Sequence, residues 1–205
     1  MSSAIMCWCF SQCYLLPAHA DLSEIHRIYH TSPSLAAFEV CQRGGCARHD
    51  PLQLQAQEWL EVERLFDPAP QDAAQERASV ANAIGLLEDM VGTKVGTAAD
   101  RAGTFHNSAY LHQQDCNDEA INSTTYLRLL QQSGLMPFHR VLDMRPRKFF
   151  FTGWPHTAAV IEQYDDHVEF AVDSWFYDNG HPAAIVPMVE WKRGYIPADS
   201  PILQR

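Results

Sequence analysis

The stretch GWPHTAAVIEQYDDHVEFAVDSWF, residues 153–176, decides the fold class because it has the pattern of a β-hairpin. Its two apolar runs, 156–163 and 167–174, contain valine, phenylalanine and other strand-forming residues, and the polar sequence YDDH separates them. Two further short runs, HRVLDM at 139–144 and KFFFTGW at 148–154, have the same character. The C-terminal part of the chain therefore predicts an antiparallel sheet.

Helical patterns precede this sheet. The run 73–91 carries apolar residues at i, i+4, i+7 and i+11 on one helical face: Val80, Ile84, Leu87 and Val91. In residues 50–66, an Asp-Pro start predicts a second helix with one face formed by Leu52, Trp59, Val62 and Phe66. An interrupted helix is expected from 21 to about 38, and a long polar loop at 92–114. Helices followed by an antiparallel sheet define the class α+β.

The predicted hairpin brings His156 and Asp173 to one face of the sheet. With Asp165 and Asp166 at the centre of the turn, His156 lies opposite Trp175, and Asp173 is its diagonal neighbour on the same face. A turn placed one residue earlier sets His156 and Asp173 directly opposite each other. A turn of odd length, or a bulge, separates them onto opposite faces, so the prediction depends on the register.

Cys116 is predicted to open the helix that precedes the sheet. Asp115 is a favourable N-cap, Asp118 completes an approximate capping box, and Ser133-Gly134 marks the end of the helix. One face is formed by Ala120, Thr124, Leu127 and either Leu130 or Gln131. The free N–H groups and the helix dipole favour a thiolate in the first turn.

Three acidic residues oppose a thiolate at Cys116: Asp115, Asp118 and Glu119. A cysteine in these surroundings needs a cationic neighbour for activation, and imidazolium is the usual one. His156 is the candidate. Asp173 can hold one ring nitrogen of His156 and leave the other to face the thiol.

The first twenty residues have the character of a secretory signal peptide. They contain no Lys, Arg, Asp or Glu, and an apolar stretch at 4–16 is followed by Pro17 and Ala18-His19-Ala20. This small-x-small pattern predicts cleavage before Asp21 and a periplasmic or secreted protein. A buried N-terminal helix is the alternative, because no basic residue precedes the apolar stretch. The stretch is too short for a membrane span.

The cysteines are consistent with export. Removal of the signal peptide takes away three of them: Cys7, Cys9 and Cys13. Cys41 and Cys46 flank QRGG, whose glycine pair can close a small disulfide loop. We expect this disulfide to stabilise the protein by about 1–3 kcal/mol, and its loss to leave the chemistry near Cys116 largely intact. Cys116 is then the unpaired thiol, either a buried core residue or a reactive group.

Length and charge restrict the class of protein. The chain has 205 residues, 46% of them hydrophobic, which fits one domain over residues 21–205. Fifteen basic residues stand against 25 acidic ones, a formal charge of -10. This balance argues against a nucleic-acid partner, which needs a concentrated basic face. The basic cluster RPRK at 145–148 is expected to be a solvated loop.

Three short strings resemble the transglutaminase-like cysteine hydrolases of the wider papain-like group: QDCNDEA, WPHTAAV and FAVDSWF. A bacterial periplasmic branch, the transglutaminase-like cysteine proteinases, shares the DC-x-D sequence around the cysteine. The resemblance covers residues from about 110 to 180. It implies a papain-like fold in which the cysteine-bearing helix packs on an antiparallel sheet. Thr157 follows His156 where true transglutaminases commonly have an aromatic residue, which favours hydrolysis over cross-linking.

The residues and the resemblance together predict a cysteine hydrolase of amide bonds in a protein or peptide substrate. Cys116 attacks the carbonyl carbon, His156 moves the proton, and Asp173 orients the imidazole. Two pairs of residues have predicted supporting positions: Gln113 or Gln114 at the oxyanion, and Trp154 and Trp175 as cleft walls or core residues.

Two alternatives remain open. One is a non-catalytic module on the same scaffold that binds a peptide or a cell-envelope partner. The other is a zinc protein, for which the chain offers scattered histidines without the usual ligand spacing: His106, His112 and His139. No cofactor or metal is expected in the hydrolase.

Overall fold

The structure is a computed structural model, and it describes residues 22–105, 111–148 and 155–204. The predicted signal peptide at 1–20, most of the predicted strand at 148–154, and the predicted cleft residue Trp154 lie outside the described residues. The described part consists of helices and two antiparallel sheets, so the predicted class α+β is confirmed.

Eleven regular elements follow one another in the described chain: α1 (Leu22–His30), β1 (Phe38–Gln42), β2 (Arg48–Leu52), α2 (Ala56–Arg64), α3 (Ala73–Val95), α4 (Cys116–Gln132), β3 (His139–Arg147), β4 (His156–Gln163), β5 (Glu169–Asp173), β6 (Ala184–Pro187) and α5 (Met188–Lys192). A short 3-10 helix, Pro201–Gln204, follows them. Strands β1 and β2 form a hairpin of their own. The other four form an antiparallel sheet in the order β3-β4-β5-β6.

Strands β4 and β5 pair in the register that was predicted with Asp165 and Asp166 at the centre of the turn. Ala159 pairs with Val172 and Glu162 pairs with Glu169, which centres the turn between Asp165 and Asp166. His156 and Asp173 therefore share a face of the sheet, as predicted, because side chains two residues apart on a strand point the same way.

Both faces of the central strands are buried. Ala159, Ile161 and Val172 pack into the main core with α2, α3 and α4. The alternate positions, Ala158 and Val160, pack on the other face, where α5 supplies buried side chains. Burial on both faces explains why the sequence of β4 is a nearly continuous apolar run. The face shared by Ala158 and Val160 is also the face of His156 and Asp173.

The long helix predicted over 73–91 is confirmed and continues to Val95. Its N-cap Asp72 accepts a hydrogen bond of 2.8 Å from the backbone N–H of Gln75, and it ends at Gly96, whose φ of 89° favours glycine. All four predicted face residues are buried: Val80, Ile84, Leu87 and Val91. No helix in the described ranges has the length and apolar character needed to cross a membrane.

The helix predicted over 50–66 is wrong in its first part. Pro51 lies in β2 and pairs with Glu39 of β1, and α2 begins only at Ala56. Proline is tolerated there because β2 is an edge strand, where a missing N–H leaves no ladder bond unmade. The later apolar positions, Trp59, Val62 and Phe66, are buried as expected.

The predictions for two other segments need correction. The helix expected from 21 to about 38 is confirmed only for α1, and the chain enters β1 at Phe38. The basic cluster at 145–148 is not a solvated loop, because it continues β3 as far as Arg147. Arg147 is only 4% exposed.

Candidate functional site

The helix that carries Cys116 has the predicted capping. Asp115 is the N-cap, and its Oδ1 accepts hydrogen bonds of 3.0 Å from the backbone N–H groups of Asn117 and Asp118. Asp118 completes the capping box. The predicted face is buried through Leu130, whereas Gln131 is exposed. Cys116 therefore occupies the first turn of α4, and it is a free, partly buried cysteine.

The structure joins His156 and Asp173 directly. Nε2 of His156 lies 2.6 Å from Oδ2 of Asp173, and both residues are only 2% exposed. The indole N–H of Trp191 donates to the same carboxylate oxygen at 2.6 Å. The other ring nitrogen of His156, Nδ1, is buried and has no hydrogen-bonding partner. The carboxylate thus holds one ring nitrogen, while the second is free to accept or donate a further hydrogen bond.

Cys116 lies next to this pair. The backbone N–H of Thr157, the residue after His156, and the carboxylate of Asp173 both lie close enough to the Cys116 thiol to affect its ionisation. The side chain of Cys116 packs against the apolar cluster that includes Ala158. Cys116, His156 and Asp173, the three residues selected from the sequence, therefore lie on the same side of the sheet.

The thiol of Cys116 is strongly disfavoured as a thiolate. Its pKa is raised to about 12: burial is the largest cause, the charges of Asp115, Asp173 and Asp118 also raise it, and the N–H of Thr157 lowers it. The helix N-terminus alone therefore does not produce a thiolate. Desolvation and three nearby carboxylates outweigh the dipole, so a base is needed to remove the proton.

Aromatic rings enclose the imidazole of His156. The centroid of the Trp175 ring lies 4.5 Å from that of His156, and those of Phe176 and Trp191 lie 5.5 Å and 5.6 Å away. Trp175 is buried, and its indole N–H donates to the carbonyl oxygen of Thr104 at 2.8 Å. Of the two roles considered, Trp175 therefore has that of a core residue behind the imidazole.

Gln113 and Gln114 use their side chains to hold the backbone. The amide of Gln113 donates to the carbonyl oxygens of Ala99 at 3.0 Å and His112 at 3.2 Å. The amide of Gln114 donates to the carbonyl oxygen of Cys41 at 3.1 Å. These contacts give no support to either side chain as an oxyanion donor.

The predicted disulfide between Cys41 and Cys46 is present. The loop that it closes packs on the first turn of α4. The N–H groups of Gly44 and Cys46 donate to the carboxylate of Asp118 at 2.6 Å and 2.5 Å. Loss of the disulfide is therefore expected to affect the surroundings of Cys116, which changes the expectation drawn from the sequence alone.

The glycine pair shapes this loop. Gly44 and Gly45 have φ values of 81° and 58°, in the left-handed region that favours glycine. Successive N–H groups in such a conformation form a concave site for an anion. The N–H of Gly45 donates to Oδ2 of Asp115 at 2.9 Å. Asp115 and Asp118 thus serve as acceptors that fasten the disulfide loop to α4.

The sequence indicated Glu119 as an acidic neighbour of Cys116, but it did not predict the cluster of carboxyl groups that Glu119 forms with Glu88 and Asp100. Burial raises the pKa of Glu88 to about 8 and that of Asp100 to about 7. Burial, followed by the charges of Glu88 and Asp100, raises the pKa of Glu119. The hydroxyl of Ser174, which follows Asp173, donates to Glu119. These residues lie far apart in the chain, so no local pattern could have indicated the cluster.

Of the histidines considered as zinc ligands, His139 lies away from Cys116. His139 pairs with Gln163 at the other end of the β3–β4 ladder, and its Nδ1 lies 2.7 Å from the carboxylate of Glu76. His106 lies outside the described residues. Within the described ranges, no group of three or more His, Cys, Asp or Glu side chains could hold a metal ion.

A separate cavity of about 620 Å³ lies between α1, the β1–β2 hairpin and α3. Its lining includes Ile28, Phe38, Lys94 and Thr125. Thr125 is nine residues from Cys116, about 13 Å along α4 at the rise of an α-helix. This cavity therefore does not contain the candidate nucleophile.

No protein-family model, no curated protein and no solved structure matches this chain. The class that the architecture itself defines is α+β, with a cysteine at a helix N-terminus beside a buried histidine–aspartate pair. The resemblance to transglutaminase-like cysteine hydrolases stays a prediction based on the three short strings.

Proposed function

We propose that this chain is an exported cysteine hydrolase that cleaves amide bonds in a protein or peptide substrate. The observation that carries the proposal is the buried hydrogen bond of 2.6 Å between His156 and Asp173, made beside the helix that begins at Cys116. Export is supported by the Cys41–Cys46 disulfide, because such bonds persist in oxidising compartments.

The protonation state of His156 follows from its partner. A carboxylate accepts hydrogen bonds and cannot donate them, so the ring nitrogen facing Asp173, Nε2, carries the hydrogen in the neutral imidazole. Nδ1 is then the basic nitrogen, and it is the one without a partner. In the proposed reaction, Nδ1 accepts the proton of the Cys116 thiol while the sulfur attacks the carbonyl carbon.

The remaining steps release the amine and the acid, and they return His156 and Cys116 to their starting protonation states. The tetrahedral intermediate collapses with loss of the C–N bond, and His156 gives its proton to the leaving amine. Water then attacks the thioester on Cys116 and transfers a proton to His156. The C–S bond breaks, the carboxylic acid leaves, and the proton returns to the sulfur. The backbone N–H of Cys116, in the first turn of α4, is the proposed donor to the oxyanion.

The resemblance to transglutaminase-like, papain-like hydrolases agrees with this assignment of roles. Hydrolysis is proposed in preference to cross-linking because Thr157 follows His156. Asp173 also receives the indole N–H of Trp191, so two donors stabilise the charge that the carboxylate needs to orient the imidazole.

A second candidate function is a non-catalytic module that binds a peptide or a cell-envelope partner. The raised pKa of Cys116, to about 12, favours it, because a buried neutral thiol is also what a structural cysteine has. The two candidates differ in whether His156 controls the reactivity of the sulfur.

Alkylation of Cys116 by iodoacetamide, followed by peptide mapping across pH 6–10, tests the proposal. In a hydrolase, His156→Ala slows alkylation at neutral pH, because the base that removes the thiol proton is gone. His26→Ala, an exposed histidine on α1, is the matched control and is expected to leave the rate unchanged. Labelling that is equal in His156→Ala and in the wild type would contradict the hydrolase.

The substrate is sought in cell-envelope extracts. Release of new amino groups by the wild-type protein, but not by Cys116→Ala, is the expected result. If neither protein releases amino groups and alkylation of Cys116 does not depend on His156, the result supports the binding module instead of the hydrolase.

A further inference from the structure

Arg147 is fixed beside the candidate site. It pairs directly with His156 in the β3–β4 ladder. Its Nη1 donates to the carbonyl oxygens of Trp191 at 2.8 Å and Tyr195 at 3.0 Å. The central carbon of the guanidinium lies 4.8 Å from the centroid of the Trp191 ring. Trp191 is the residue whose indole holds Asp173, so the guanidinium contacts the same support as the histidine–aspartate pair.

The other edge of this guanidinium is unsatisfied. Nε and Nη2 of Arg147 are both buried, and neither has a hydrogen-bonding partner. Buried polar groups are almost always paired, because an unpaired one loses its hydration without compensation. In arginine these two nitrogens present their N–H groups side by side, with the spacing that a carboxylate accepts.

The same edge holds carboxylates elsewhere in this chain. Nε and Nη2 of Arg48 donate to Oδ1 of Asp50 at 3.0 Å and 2.6 Å. Nε and Nη2 of Arg140 donate to Oε1 of Glu162 at 3.0 Å and 2.7 Å. At Arg147, the described chain supplies no such carboxylate.

The guanidinium of Arg147 lies on the same side of the sheet as the candidate reacting groups. Burial lowers its pKa, while the charges of Asp173 and Cys116 raise it. Arg147 is the ladder partner of His156, so the two side chains lie on the same face of the sheet. The guanidinium contacts Trp191, which belongs to the apolar cluster against which Cys116 also packs. An anion held on the Nε–Nη2 edge therefore lies on the Cys116 side of the sheet.

We propose that Arg147 binds a carboxylate group of the substrate next to Cys116. The substrate class is then an amide that carries a carboxylate close to the scissile bond. This inference rests on the proposed function, since it assigns a specificity group to the same site. Arg147 is unsuited to replacement by lysine there, because an ammonium group does not present two parallel N–H donors.

The test compares two reagents of nearly the same shape. Iodoacetate carries a carboxylate and iodoacetamide carries a neutral amide. Their alkylation rates at Cys116 are measured by peptide mapping on the full chain with the Cys41–Cys46 disulfide intact, and glutathione measured in parallel gives the ratio for a free thiol. We expect the iodoacetate-to-iodoacetamide ratio at Cys116 to exceed that of glutathione by about tenfold, the effect of one charge-assisted pair.

Two variants identify the group responsible. Arg147→Gln is expected to bring the ratio to that of glutathione, and Arg147→Lys to leave an intermediate value. Arg145→Gln is the matched control, because Arg145 lies on the same strand with an exposed side chain. Thermal unfolding checks each protein. If Arg147→Gln does not fold, the ratio measured for Arg147→Lys is used instead. Lysine keeps the charge and can still reach one carbonyl oxygen.

The outcomes separate this inference from the proposed function. A wild-type ratio equal to that of glutathione overturns the carboxylate site but leaves Cys116 as a nucleophile. A high ratio that survives both Arg147 variants also overturns it. A Cys116 that reacts with neither reagent overturns the site and the hydrolase together. A ratio that depends on Arg147, with no amide hydrolysis in envelope extracts and alkylation independent of His156, supports the anion site and rejects the hydrolase.

Discussion

The indole N–H of Trp191 donates a hydrogen bond of 2.6 Å to Oδ2 of Asp173. The same oxygen lies 2.6 Å from Nε2 of His156, so one carboxylate oxygen holds an indole and an imidazole. The carbonyl oxygen of Trp191 in turn accepts a hydrogen bond from Arg147. The orientation of the histidine–aspartate pair therefore depends on α5, a short helix that follows both residues in the chain.

Trp191→Phe removes this donor and keeps an aromatic ring in place. We expect the free energy of unfolding to fall by about 1.5–3 kcal/mol, the contribution of a hydrogen bond to a charged group. Alkylation of Cys116 at pH 7 should also slow, because His156 is less firmly oriented. Urea unfolding and alkylation rates measure the two effects. Trp59→Phe, in α2, is the control for alkylation. An unchanged rate in Trp191→Phe would show that the indole does not position the pair.

Asp173→Asn distinguishes the two candidate functions, because it should slow the alkylation of Cys116 in a hydrolase and speed it in a binding module. Asp173 raises the pKa of Cys116, so removal of its charge alone favours the thiolate and speeds alkylation. In the hydrolase, Asp173 also keeps the hydrogen of His156 on Nε2 and leaves Nδ1 basic. We expect loss of the correct tautomer to dominate and to slow alkylation by about tenfold or more at pH 7.

The rate of Cys116 alkylation by iodoacetamide, measured across the pH range, shows whether Asp173→Asn reacts more slowly or faster than the wild type. Asp199→Asn, an exposed carboxylate near the C-terminal end, is the control and should behave as the wild type. Faster alkylation of Asp173→Asn across the whole range would support the binding module instead.

The buried carboxyl groups predict a stability that falls as the pH rises. In the unfolded chain, Glu and Asp ionise near pH 4. In the folded protein, burial raises the pKa of Asp100 to about 7 and that of Glu88 to about 8, and it also raises the pKa of Glu119. Their stabilising contribution is complete below about pH 4 and is lost as the pH rises through the folded values. We expect the free energy of unfolding to be lower at pH 8 than at pH 5 by about 2–4 kcal/mol.

Glu119→Gln tests this source of the pH dependence. Glutamine keeps the shape of Glu119 and an acceptor for Ser174, but it cannot ionise. The variant should gain stability at pH 8 relative to the wild type and show a flatter dependence on pH, measured by urea unfolding. Glu61→Gln, an exposed glutamate on α2, should not change the slope. An equal slope in wild type and Glu119→Gln would locate the pH dependence elsewhere.

Loss of the disulfide should affect both stability and the cysteine site. Replacement of Cys41 and Cys46 by serine is expected to lower the free energy of unfolding by about 1–3 kcal/mol. It should also change the alkylation rate of Cys116, because the freed loop no longer holds Asp118 with its N–H groups. In the wild type alkylated without reductant, Cys41 and Cys46 should stay unmodified and Cys116 should carry a label.

Arg48→Ala is the control for the disulfide experiment. It removes an exposed ion pair with Asp50 from the same hairpin and leaves the disulfide in place. We expect it to alter neither the alkylation rate nor the labelling of Cys41 and Cys46. If the serine double variant is alkylated at Cys116 as fast as the wild type, the disulfide loop only stabilises the protein, as expected from the sequence.

The sequence predicted the elements whose signals are local. Helix α4 follows from the capping box of Asp115 and Asp118, which acts over three residues. The β4–β5 hairpin follows from two apolar runs and a polar turn, and the turn length restricted the register to a few choices. The shared face of His156 and Asp173 was therefore predicted for turns of even length, and the observed register confirms it.

The sequence failed where a distant partner decides the conformation. The Asp-Pro pair at 50–51 has the local signature of a helix start, yet Pro51 lies in a strand because it pairs with Glu39 of β1. Pairing across a hairpin stabilises an extended backbone that local propensity does not favour.

The amino-acid sequence by itself determined the class α+β, the helix that begins at Cys116 and the disulfide loop, whereas the shared face of His156 and Asp173 also required the observed register. Only the tertiary structure decided which polar groups are withdrawn from water. Arg147 is buried because α5 and the residues after it pack over it, and Trp191 and Tyr195 accept its Nη1 bonds. Glu119 is buried because Glu88, Asp100 and Ser174 lie against it from other parts of the chain. Desolvation depends on all the elements that surround a group, so a pattern read along one segment does not contain it.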